Sequence, residues 1–144
     1  MAAATISEIM TMAGFYSGMA EKYGCRVLVT GSLARQIPGF ESSYHVRRLG
    51  YVLLKTSGTL EPVYDVYDGD ERSEFEKKEK TAQLFDGAVE DYLAERYYEA
   101  RLKFARVLRL SPKDEAARVY VFRCDAYYRS EGKEEMTAWL EQYG

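Results

Sequence analysis

Residues 47–67 read RRLGYVLLKTSGTLEPVYDVY, and this stretch decides the fold. Val52, Leu53 and Leu54 end one apolar run, Val63 to Val66 carry another, and TSGT between them has the composition of a turn. The pattern predicts an antiparallel hairpin. Its first strand extends back over YHVRRLGYVLLK, 44–55, with a bend or bulge at Gly50. Its return strand is EPVYDVY, 61–67, with Pro62 at the start, where a missing N–H is tolerated. Alternation puts Val52 and Leu54 on one face with Tyr64 and Val66, and sends Lys55 and Asp65 to a wet opposite face.

Upstream, CRVLVT, 25–30, is a short apolar run after Gly24 and reads as a buried strand. SLARQI follows as one or two helical turns before Pro38. Residues 5–23, TISEIMTMAGFYSGMAEKY, have helical spacing through Ile6, Ile9, Met10, Ala13, Ser17 and Ala20. Met12, Phe15 and Met19 make a second apolar stripe, and a helix apolar on two sides is expected to be covered on two sides. Gly14 and Gly18 lie inside it at a spacing that allows another backbone to come close.

Downstream, DGDERSEFEKKEK, 68–80, is nearly all charge and reads as a solvated linker running into a helix. From Thr81 the pattern is helical, with a break near Glu95–Arg96. Ala88, Tyr97, Ala100, Phe104 and Pro112 match the spacing of one tetratricopeptide unit, although Asp91 stands where that pattern wants an aromatic. In that phase Ala100 is enclosed and Lys103 faces solvent. A third helix is expected over 114–128, and a fourth over 134–144 that caps the stack through Trp139. A single unit of this kind needs support, which the strands supply. The expected fold is α+β: a small antiparallel sheet with a packed helix over 1–67, a charged linker over 68–80, and a tetratricopeptide-like helical region over 81–144.

Composition narrows the function. Net charge is −3 with no long basic run, which argues against nucleic acid as a partner. No stretch approaches the ~20 apolar residues of a membrane span, and the N-terminus lacks signal-peptide character, so a cytoplasmic protein without membrane contact is expected. Cys25 and Cys124 form no CxxC and read as reduced, buried thiols. His45, the one histidine, reads as structural. GSLAR is no phosphate loop, and Asp68, Asp70 and Glu71 fall short of a calcium loop. No metal, cofactor or catalytic residue is expected. The thirteen tyrosines read as packing between helices, with a binding surface as the rival reading because tyrosine supplies contact area at little entropy cost.

Tyr23–Gly24, VLVT, RRLGYVLLK and EPVYDVY, in that order, resemble the end of a class III nucleotidyl cyclase catalytic domain. The tail resembles the helical segment that follows such domains in many bacterial adenylate cyclases, through Phe85, Ala88, Tyr92, Glu99, Ala100, Phe104, Val107, Leu108, Pro112, Asp114, Ala117, Arg123, Cys124 and Tyr127 or Tyr128. The resemblance spans about residues 8–130. It implies cyclase ancestry, with two metal-binding aspartates on earlier strands and an Asn and an Arg that orient ribose and stabilise the transferring phosphoryl group. Those last two positions fall on Thr11 and Phe15, and Phe15 cannot donate to a phosphate. The expectation is a non-catalytic, cyclase-derived interaction or regulatory module that binds a protein or itself, with Met12, Phe15 and Met19 as the candidate interface. The alternative is the C-terminal fragment or subunit of an adenylate cyclase whose metal-binding half lies outside this chain.

Overall fold

The computed structural model describes residues 6–54, 57–130 and 141–143, with side chains over 14–54 and 57–128. Helix α1 runs Ile6–Lys22 and ends at Gly24, whose φ of 67° is the left-handed conformation that stops helices. Strand β1 is Leu28–Thr30, and two short helices follow, α2 (Gly31–Arg35) and α3 (Phe40–Ser43). The hairpin is β2 (Val46–Leu54) and β3 (Thr59–Val66). Three long helices come next, α4 (Arg72–Leu93), α5 (Tyr97–Leu110) and α6 (Glu115–Ser130), then a short strand β4 (Glu141–Tyr143). The sheet order is β1-β3-β2-β4: β3 pairs antiparallel with both β1 and β2, and β4 lies parallel to β2.

The α+β class and the hairpin stand, and the pairing register slips between Arg48 and Gly50, where the bend was expected. The faces differ from the simple alternation. Val52 pairs with Glu61, Gly50 with Val63 and Arg47 with Asp65, so the covered face carries Glu61, Val63, Asp65 and Tyr67. Tyr64 and Val66 are on the other face. An odd-numbered shift in one strand exchanges all its side chains between faces. Asp65, expected in water, is 0 % exposed.

Pro62 lies inside β3, the central strand, where a proline is unusual. It is tolerated because β1 reaches only as far as Val63. The ring packs where a side chain at residue 31 would begin: a Cβ on Gly31 would sit 2.4 Å from Pro62 Cγ. Gly31 is therefore required by this close approach.

The helix into which the 68–80 stretch was expected to run begins at Arg72, so residues 72–80 form the first half of α4, and Lys78 and Thr81 are buried on its inner face. One continuous core joins the two regions of the chain: Met19, Tyr23, Leu49, Val52 and Val63 from the first half meet Phe85, Val89, Tyr92, Phe104 and Tyr120 from the second. The helical hairpin thus leans on the strands. The fourth helix expected over 134–144 is a strand where it is described, at Glu141–Tyr143; 131–140, Trp139 included, lie outside the described residues.

The break at Glu95–Arg96 separates α4 from α5. Glu95 itself takes φ 62°, a conformation that usually selects glycine. Ala100 is fully enclosed between helices. Replacing it with Leu should cost about 1–3 kcal/mol by overpacking and lower the urea midpoint, whereas Arg106→Leu on the exposed face should not. Equal shifts in the two variants would show that the helices do not pack through Ala100. Lys103 is no neutral control, because its Nζ donates to the buried Asp91 carboxylate.

Candidate functional site

Where the sheet meets the helices, charge is buried. Arg47 Nε donates to Asp65 Oδ2 (3.0 Å), and its two terminal nitrogens donate to the Asp114 oxygens (2.8 and 3.0 Å). Its guanidinium lies over the Phe85 ring, 4.1 Å from the centroid. Lys78 Nζ bridges Asp65 (2.8 Å) and Asp70 (2.6 Å). Asp114 also accepts from the Ala117 N–H (3.1 Å) and so caps α6. Burial opposes its charge, but the Arg47 guanidinium outweighs that and holds its carboxyl below the usual range. A cavity of about 280 Å³ opens beside this network, lined by Tyr23, Gly24, Lys77, Lys113 and Glu115 among others. Both cations on its floor are engaged by carboxylates, which makes the network a fastening between β2, β3, α4 and α6.

His45 Nδ1 lies 3.0 Å from Asp68 Oδ2, an exposed pair in which the carboxylate raises the imidazole pKa. Asp70 is held by Lys78. Cys25 and Cys124 are both free and buried; burial pushes the Cys124 thiol up to about 12. Among the described residues, no group of His, Cys, Asp and Glu gathers as a metal site, and no helix is long and apolar enough to cross a membrane.

Along α1, the proposed interface residues separate. Met19 is 3 % exposed and belongs to the core of this chain, and the helix end meets α6 through Tyr23 and Tyr120. Phe15 is half-buried against the same core and meets Tyr16 edge-on at 5.3 Å. The side chains of Thr11 and Met12 lie outside the described set. Among the described residues, a Cβ added at Gly14 or Gly18 would meet nothing within 4 Å, so no described backbone uses that spacing.

The exposed chemistry is elsewhere. At the α4–α5 turn and the end of α6 a groove of about 610 Å³ is lined by Glu95, Arg96, Tyr97, Tyr98, Glu99, Tyr127 and Tyr128. Its tyrosines form two tiers. Tyr97 and Tyr127 are half-buried with centroids 5.0 Å apart, and both stack towards the buried Tyr92. Tyr98 and Tyr128 lie outside them, 6.1 Å apart, 57 % and 63 % exposed. The antiparallel helices set Arg101 against Asp125 one turn further on. Phe122, another turn back along α6, is 73 % exposed.

Charge in the groove is uneven. Arg96 donates Nε and a terminal nitrogen to Asp91 (2.9 and 2.7 Å), and Lys103 shares the same carboxylate. Burial of Asp91 resists ionisation, yet these donors keep its pKa below the usual value. Glu95 and Glu99 are exposed, and neither has an ion-pair partner among the described residues. Sequence reading preferred packing to a binding surface for the tyrosines and did not locate this one. The signal was the doublets Tyr97–Tyr98 and Tyr127–Tyr128: neighbours on a helix point about 100° apart, so burying one turns the other outward.

Comparison of the chain with protein-family models, with curated proteins and with solved structures finds no match.

Proposed function

We propose that this chain is a non-catalytic protein-interaction or regulatory module, derived from the C-terminal part of a class III nucleotidyl cyclase domain and carrying a tetratricopeptide-like tail. The observation that carries the interaction reading is the groove with exposed Tyr98 and Tyr128. Large aromatic side chains left in water forgo roughly 1.5–3 kcal/mol each of burial, and contiguous exposed apolar area marks contact surfaces. Tyrosine suits that use because it brings large area with few rotatable bonds. The non-catalytic part is supported by Phe15, an apolar ring packed on the core at the position where the resemblance wants a phosphate-binding arginine. A cytoplasmic place goes with this reading, since two free buried thiols fit a reducing compartment.

One observation favours the alternative, a subunit or fragment of an adenylate cyclase. β1 is an edge strand, and further strands would extend the sheet on that side. The two readings part in a direct assay. Purified protein incubated with Mn²⁺ and ATP or GTP should yield no cyclic AMP or cyclic GMP by mass spectrometry. Product that scales with protein and survives repurification would overturn the non-catalytic reading.

A further inference from the structure

We infer that the tyrosine groove between the α4–α5 turn and the end of α6 binds a basic, arginine-bearing extended segment of another protein. The inference rests on the interaction reading above and names the partner's chemistry. Three features of the groove select a cation. Its lining carries four tyrosine rings, the Tyr97–Tyr127 pair inside and the Tyr98–Tyr128 pair outside, and the negative faces of such rings attract guanidinium and ammonium groups. Its free charges are negative: Glu95 and Glu99 are unpaired among the described residues. Among the described lining residues the one cation, Arg96, is turned to Asp91 by two hydrogen bonds. The charged residues of that described lining, Glu95, Glu99 and Arg96, therefore sum to −1.

Shape narrows the ligand further. The groove is open rather than enclosed, wide enough for a side chain with its flanking backbone. An arginine fits better than a lysine because its planar guanidinium stacks on an aromatic ring while its edge donates to a carboxylate. A segment without fixed structure presents that side chain most easily. Glu95 also holds a backbone conformation that glycine would take at less cost, which is consistent with a carboxylate kept at the groove mouth.

The test uses the full chain, labelled with ¹⁵N, and two probes: an eight-residue glycine–serine peptide with two arginines, and the same peptide with citrulline, the uncharged isostere, at both positions. The arginine peptide should shift the amides of Tyr97, Tyr98, Tyr127 and Tyr128 and bind at least about threefold tighter than the citrulline peptide. Added salt should narrow that difference. Glu99→Gln and Tyr98→Ser, both at exposed positions, should each weaken the arginine peptide by about threefold or more, while Glu115→Gln, at the other end of α6, should leave it unchanged. Equal binding of the two peptides, absence of binding, or shifts confined to another surface would each overturn the inference. So would a concentration-dependent dimer in sedimentation that Tyr98→Ser abolishes, since the occupant would then be a second copy of this chain. Failure of the non-catalytic reading above has a different readout, the nucleotide turnover.

Discussion

Arg47→Met should lower stability by about 3–5 kcal/mol, the range for removing one partner of a buried ion pair. For a chain of this size that corresponds to a fall in Tm of roughly 10 °C or more. The methionine replaces most of the volume, so the cost comes from charge. Asp65 keeps only Lys78, and Asp114 keeps only the Ala117 N–H. Arg48 is the contrasting case. It is one residue away and pairs with Asp86 and Glu90 near the surface, so Arg48→Met should cost less than about 1 kcal/mol.

The effect also has a pH signature. The folded pKa of Asp114 is depressed, so its contribution is present above the unfolded value of about 4 and is lost as pH falls through the folded value. The gap between wild type and Arg47→Met should therefore narrow on acidification below about pH 4. Urea denaturation at neutral and acid pH reads both quantities. A constant gap across that range would mean that Arg47 acts through packing on Phe85 rather than through its carboxylates.

Tyr120→Ala should be comparably severe, about 3–5 kcal/mol for removal of a buried aromatic. Tyr120 stacks flat on Phe104 at 4.5 Å and meets Phe85, Tyr92 and Tyr23. Its hydroxyl donates to the Leu49 carbonyl at the β2 bulge. It is thus the place where the helical hairpin, α1 and the sheet touch together. Tyr120→Phe keeps the ring contacts and leaves the Leu49 carbonyl unpaired, which should cost about 1–3 kcal/mol. Because both halves share this core, the Ala variant should lose sheet and helix amide protection together in hydrogen exchange. Sheet amides that stay protected while the helices open would show that the halves are stable separately.

The parts of the fold legible in the sequence are those governed by local rules. The turn at TSGT, the irregularity near Gly50, the left-handed stop at Gly24 and the break at Glu95–Arg96 all announce themselves through residue type and spacing. The burial of Asp65 and Lys78 does not. Periodicity assigns a charged residue to water, and that assignment reverses only when its neutralising partners are known. Here those partners lie on other elements, Arg47 across the hairpin and Asp70 before α4. Once Asp65 turns inward, the whole face of β3 follows, which is why Tyr64 and Val66 were placed on the wrong side. Lys103 was misjudged for the same reason, through the buried Asp91. The candidate site suffered the opposite error. Phe15 and Met19 looked like an uncovered stripe because the elements that cover α1 come from much later in the chain, while the exposed tyrosines were hidden among thirteen of their kind.

The Arg47–Asp114 contact joins residues 67 apart in the chain. On a ribosome adding about 5–20 residues per second, the guanidinium emerges roughly 3–13 s before the carboxylate that receives it. During that interval Arg47 has Asp65 within the hairpin but lacks its second carboxylate. Translation order therefore withholds the neutralised junction of sheet and helices until the start of α6 has appeared. The position of one aspartate in the chain thus makes the closing of this junction a late event in synthesis.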